Sequence, residues 1–80
     1  MNNIAEEIKL LKEEHHLYKN GESDTVSFID NVEIKILKLQ GSSWRTTVEV
    51  NGFSLSENID FNGIEDLLIY LDKCNNILKK

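Results

Sequence analysis

The chain has a single cysteine, no proline, no apolar run of membrane length and too few basic residues to balance its acids. Each shortage removes a class of function. Cys74 alone cannot form an internal disulfide, and a secreted chain of 80 residues commonly depends on several. No apolar stretch approaches the roughly 20 residues of a spanning helix, so no membrane partner is expected. The start Met1-Asn2-Asn3-Ile4-Ala5-Glu6-Glu7 lacks a basic region followed by an apolar one, so no signal peptide is expected and the cytoplasm is the expected compartment. There are no repeats, linkers or low-complexity segments, which leaves one domain over residues 1–80.

Chemistry-bearing motifs are equally scarce. A Gly-rich phosphate loop, a nucleophile elbow, a Cys-x-x-Cys pair and paired carboxylates are all missing. His15 and His16 beside Glu13 and Glu14 suggest a metal, yet adjacent helical residues diverge, whereas two-histidine helix sites use i and i+4 spacing. His15 falls on an apolar stripe and reads as a packing residue, with His16 facing solvent. Cys74 reads as an inward structural thiol. The chain is therefore expected to be no enzyme and to need no cofactor or metal; a small enzyme or metal protein at His15, His16 or Cys74 is the competing class.

What is present is a foldable pattern. The apolar fraction is 40% and the charged fraction 29%, which is globular rather than disordered composition. Ile4, Ile8, Leu11, His15 and Tyr18 recur at helical steps and predict a helix from Asn3 to Tyr18, ended by Asn20-Gly21. The period then changes to two. Val26 and Phe28, then Val32, Ile34 and Ile36, then Trp44, Thr46, Val48 and Val50 mark strands with one buried side, Trp44 included. Asn51-Gly52 predicts a two-residue hairpin that pairs Val50 with Phe53 and Val48 with Leu55. Ile29-Asp30-Asn31 predicts a three-residue loop that sets Val26 beside Ile34, with Asn31 left-handed. A loop near Gly41-Ser42-Ser43 would place Ile36 against Val48 and Ile34 against Val50.

After Ser56 a polar connection leads to a last helix whose apolar side is Ile64, Leu67, Leu68, Leu71, Cys74 and Leu78, capped by either Asn62 or Asp60. Lys79 and Lys80 suit its end and the acids suit its start. The expected fold is an α+β two-layer sandwich, order α-β-β-β-(β)-α. Its antiparallel meander has an apolar inner face, with both helices on that face.

Charge distribution supplies the candidate surfaces. Fourteen acids oppose nine Lys and Arg, giving −5, which argues against direct nucleic-acid binding and fits a protein partner with a basic face or solubility alone. Glu49, Glu57, Asp60, Glu65, Asp66 and Asp72 form a stretch with no Lys or Arg, whereas residues 35–48 carry Lys35, Lys38 and Arg45 with no acid. The acidic stretch, with Ile69 exposed on the outer side of its helix, is the candidate partner-binding surface; the alternative is that its acids merely solvate the chain and suit a helix start. Leu37 and Leu39 break the phase of their strand. Either a β-bulge returns them to the core, or they form a patch beside Arg45 and Thr47 on the open sheet face, available to a partner or to a homodimer.

In its small size, its acidity and its order of helix, three-stranded sheet and helix, the chain resembles phage-encoded inhibitors of the anti-CRISPR kind. The resemblance implies an inhibitor that occupies a functional surface of a larger host protein in a bacterial cell, with no chemistry of its own. The same order is similar to that of double-stranded-RNA-binding domains, but here the last helix begins with acids where those meet phosphate with lysines.

Overall fold

The computed structural model describes residues 4–55 and 58–78. The expectations placed on Glu57, on the side chain of Leu78 and on Lys79 and Lys80 lie outside the described residues. In chain order the elements are α1 (Ile4–Glu14), a 3-10 turn (His15–Leu17), β1 (Ser23–Ser27), β2 (Val32–Lys38), β3 (Trp44–Val50), β4 (Phe53–Ser54), β5 (Ile59–Phe61) and α2 (Ile64–Leu78). The strands form one antiparallel sheet in the order β1-β2-β3-β4, and β5 shares with β4 the far edge of β3.

Both helices lie on one sheet face, where Ile8 and Leu11 of α1 and Leu67 and Leu71 of α2 meet Val26, Ile34, Ile36 and Trp44. This is the predicted sandwich. Trp44 is buried, as its phase requires, with the Tyr18 ring edge-on at 5.3 Å. Thr46 is the polar member of this layer, and its hydroxyl donates to the Ile59 carbonyl at 3.0 Å, which satisfies a group that would be costly to bury alone.

Several local expectations are corrected. The α-helical part of the first helix ends at Glu14 rather than Tyr18, and a 3-10 turn carries the chain over Trp44. Asn20-Gly21 closes no helix: Gly21, at φ 89°, sits in a turn that the Glu22 N–H closes on the Lys19 carbonyl. The β1–β2 loop does pair Val26 with Ile34, but it places Asp30 as well as Asn31 at positive φ.

Between β2 and β3 the register differs by two residues, with Ile34 opposite Val48 and Ile36 opposite Thr46. The reversal is centred on Gly41 at φ 68°, and the Leu39 N–H reaches the Ser43 carbonyl across it. A slip of two preserves which side chains face the core, so the layer is unchanged.

The connection before the last helix contains β5, which sequence patterning did not foresee. Asp60 therefore lies in a strand and is no helix cap, and Ile59 is opposite Thr46 rather than stapled to Ile64. The helix-facing side of the sheet is also not covered throughout, because Phe53 and Leu55 are exposed.

Candidate protein-binding surfaces

The acidic stretch that is continuous in sequence divides in space. Glu49 lies within reach of Lys35, Nζ to Oε2 3.5 Å, and is largely covered, with 15% of its side chain exposed. Asp60 faces Arg45 across the β3–β5 pair. The guanidinium donates through Nε at 2.8 Å and Nη2 at 3.0 Å to the two carboxylate oxygens, a fork-to-fork geometry. The Arg45 hydrogen bond holds the Asp60 carboxyl below its usual range, and the same bond raises Arg45. The basic stretch thus folds directly onto part of the acidic one.

Glu65, Asp66 and Asp72 remain on the exposed side of α2. Ile69 follows Glu65 by four residues and Asp66 by three and precedes Asp72 by three, so the acids ring it on one helix face. Its exposure is 53%, and the acids around it rather than the exposure set it apart from Leu17, Leu55 and Ile77, which are more exposed. Lys73 completes the rim.

The open sheet face is more polar than expected. β2 runs in unbroken register through Leu37, opposite Ser23 on one side and Arg45 on the other, so no bulge occurs and Leu37 belongs to the face away from the helices. Leu39 lies past the strand end, and both leucines are half-buried. Around Leu37 the face is tied by polar pairs: Arg45 with Asp60, Lys35 with Glu49, the Thr47 hydroxyl donating to Asn58 Oδ1 at 2.6 Å, and the Ser27 hydroxyl reaching Glu33 at 3.5 Å. Leu37 and Leu39 form no broad exposed patch there.

His15 is half-buried and His16 exposed, with their rings perpendicular and 5.8 Å apart. Among the described residues no group of three or more His, Cys, Asp or Glu is placed to hold a metal ion. Cys74 is half-buried against the core; burial raises its thiol pKa, which lowers the thiolate population a nucleophile needs. Among the described residues no helix is long and apolar enough to cross a membrane.

Two of the concavities beside Tyr18 are the more enclosed. One is a groove of about 380 Å³ between His15, His16, Lys38, Trp44 and Ile64. Its ammonium is already engaged, since Lys38 Nζ donates to the carbonyls of Leu39 at 2.6 Å and Gly41 at 2.5 Å. The other, about 200 Å³, lies between α1 and β1 and is lined by Glu7, Glu14 and Asp24 with no Lys, Arg or His. There Asp24 accepts the Tyr18 hydroxyl at 2.8 Å; burial first, then this bond, pushes the Tyr18 pKa up to about 12. Glu7 Oε2 is sealed from solvent without a hydrogen-bond partner, and burial, then Asp24, raises the Glu7 pKa.

Sequence patterning missed this carboxylate cluster because α1 and β1 are joined through a turn it did not resolve. It also missed the exposure of Phe53, Leu55 and Ile59, although the uncharged run after Val50 was a visible signal. No family model, no curated protein and no solved structure matches this chain.

Proposed function

We propose that the chain is a non-enzymatic protein-binding module, a small acidic inhibitor or regulator from a phage or mobile element that acts in the cytoplasm of a bacterial host. Its target on this reading is a larger protein with a basic face, of the kind that handles nucleic acid. The observation that carries the reading is the outer face of α2, where Ile69 stands 53% exposed among Glu65, Asp66 and Asp72. An apolar anchor with three acids and one lysine around it gives a partner both a desolvated contact and a net long-range attraction to lysines and arginines. Glu49 and Asp60 contribute less, because their charge is spent on Lys35 and Arg45.

The reading is tested by capture from bacterial lysate with the natural chain beside a Glu65→Lys, Asp66→Lys variant, and beside Ile69→Ser. A captured protein should be lost from the charge-reversed variant and weakened at roughly 1 M salt, where the Debye length falls to about 3 Å. Ile69→Ser should weaken it by about tenfold or more. Retention of the same protein by all variants at both salt levels would overturn the proposal.

A further inference from the structure

On its helix-facing side β3 presents Thr46, Val48 and Val50 in succession, and the neighbouring edge sets one apolar residue against each. Ile59 is opposite Thr46, the Leu55 N–H donates to the Val48 carbonyl, and Phe53 is opposite Val50. Cross-strand neighbours share a face, so Ile59, Leu55 and Phe53 form a row continuous with the core layer. The helices do not reach it: Phe53 is 76% exposed, Leu55 64% and Ile59 43%. The flank of α2 that looks toward this edge is identified by Tyr70, whose ring lies 5.3 Å from that of Phe61 on β5. Seven residues further on, Ile77 continues the same flank and is 72% exposed.

The part of this strip at Phe53 and Leu55 carries no charge, whereas Ile59 is followed by Asp60 and Ile77 lies one turn after Lys73. Residues 50–56 contain no ionisable side chain, in a chain of net charge −5. A basic partner is drawn to carboxylates, and this run offers none. Two copies of an acidic chain repel each other, and their approach is opposed least where acids are missing. A two-fold contact also requires a self-complementary surface, which a row of uncharged aliphatic and aromatic side chains supplies. Ile59, Leu55, Phe53 and Ile77 together expose on the order of 400 Å² of apolar surface, about half of the roughly 800 Å² that each partner buries in a standard interface.

We propose that a second copy of this chain covers the strip, forming a two-fold dimer through Phe53, Leu55, Ile59 and Ile77. The sheet-edge part of the surface, Phe53, Leu55 and Ile59, is separate from the α2 outer face, and Ile77 adjoins that face one turn after Lys73. Sedimentation equilibrium of the full chain tests it. The natural chain should show a reversible dimer that holds or tightens between roughly 0.1 and 1 M salt, because salt screens the repulsion between like-charged copies.

Phe53→Ser with Leu55→Ser should weaken association by at least about 30-fold, since each change occurs twice in the dimer. Unchanged Trp44 emission would show that this variant is folded. Ile69→Ser should leave the dimer intact. A chain that stays monomeric to about 1 mM, a dimer that survives the double change, or one dissolved by salt or by Ile69→Ser would each overturn the proposal. So would a monomeric chain whose strip is instead needed for capture of a different protein.

Discussion

Glu7 is a carboxylate in an unfavourable place, with one oxygen sealed from water, no hydrogen-bond partner for it, and Asp24 and Glu14 lining the same cleft. Its folded pKa lies above the ordinary 4.5, so between that value and the raised one the folded state holds more proton than the unfolded state. Stability therefore falls as pH rises through this window, and the loss persists at neutral pH. Glu7→Gln should stabilise the fold at pH 7 by less than about 1 kcal/mol, since much of the cleft is open and screened. Urea denaturation of the two proteins should converge below about pH 4.5; a destabilised Gln variant at pH 7 would contradict the account. At the same scale, the inward direction of Trp44 was legible because Thr46 and Val48 repeat its phase. The partner of Asp60 was not, since three residues between Asn58 and Asn62 are too few to show a strand period.

Among the elements, the β3–β4 hairpin follows most directly from its residues. Asn51 at φ 54° and Gly52 at φ 85° occupy the two left-handed positions that a tight two-residue turn demands. No atom crowds the place where a Gly52 Cβ would stand, so the backbone angle alone penalises a side chain there. Gly52→Ala should cost about 1 kcal/mol or somewhat more, read as a lowered urea midpoint with an unchanged slope. The neighbouring β2–β3 connection was less legible. Gly41, Ser42 and Ser43 are all good turn residues, so the centre of the reversal could be set only to within a residue, and the register shifts by twice that error. β5 was hidden for a further reason: the hydroxyl of Thr46 and the guanidinium of Arg45 hold it to β3, and neither interaction leaves a local periodic signature.

For the whole molecule, the layer plan was readable because two helical periods enclose a run of period two, and a two-layer stack is what such faces can bury. The distribution of charge over that plan was not. Separation of acids from bases along the chain suggested two opposed surfaces, whereas antiparallel pairing laid Lys35 and Arg45 beside Glu49 and Asp60 and left net charge mainly to the helices. The core has little reserve. Leu71 is fully buried, and Leu71→Ala should cost about 2–5 kcal/mol, comparable with the entire stability expected at this size. Urea titration followed by Trp44 emission should find this variant largely unfolded near 37 °C; a fold retained with a loss below about 1 kcal/mol would show a looser core.

The order of the sheet carries a kinetic consequence. β1 to β4 pair each with the next strand in the chain, so the sheet can zip outward from the Asn51-Gly52 turn by closing one short loop at a time. Contact between α1 and α2 instead joins the two ends of the described chain, and its closure entropy is modest only after the strands have brought those ends together. Helix docking is thus the expected late step, and refolding followed by pulsed hydrogen exchange should protect β2 and β3 before α1 and α2; simultaneous protection would contradict it.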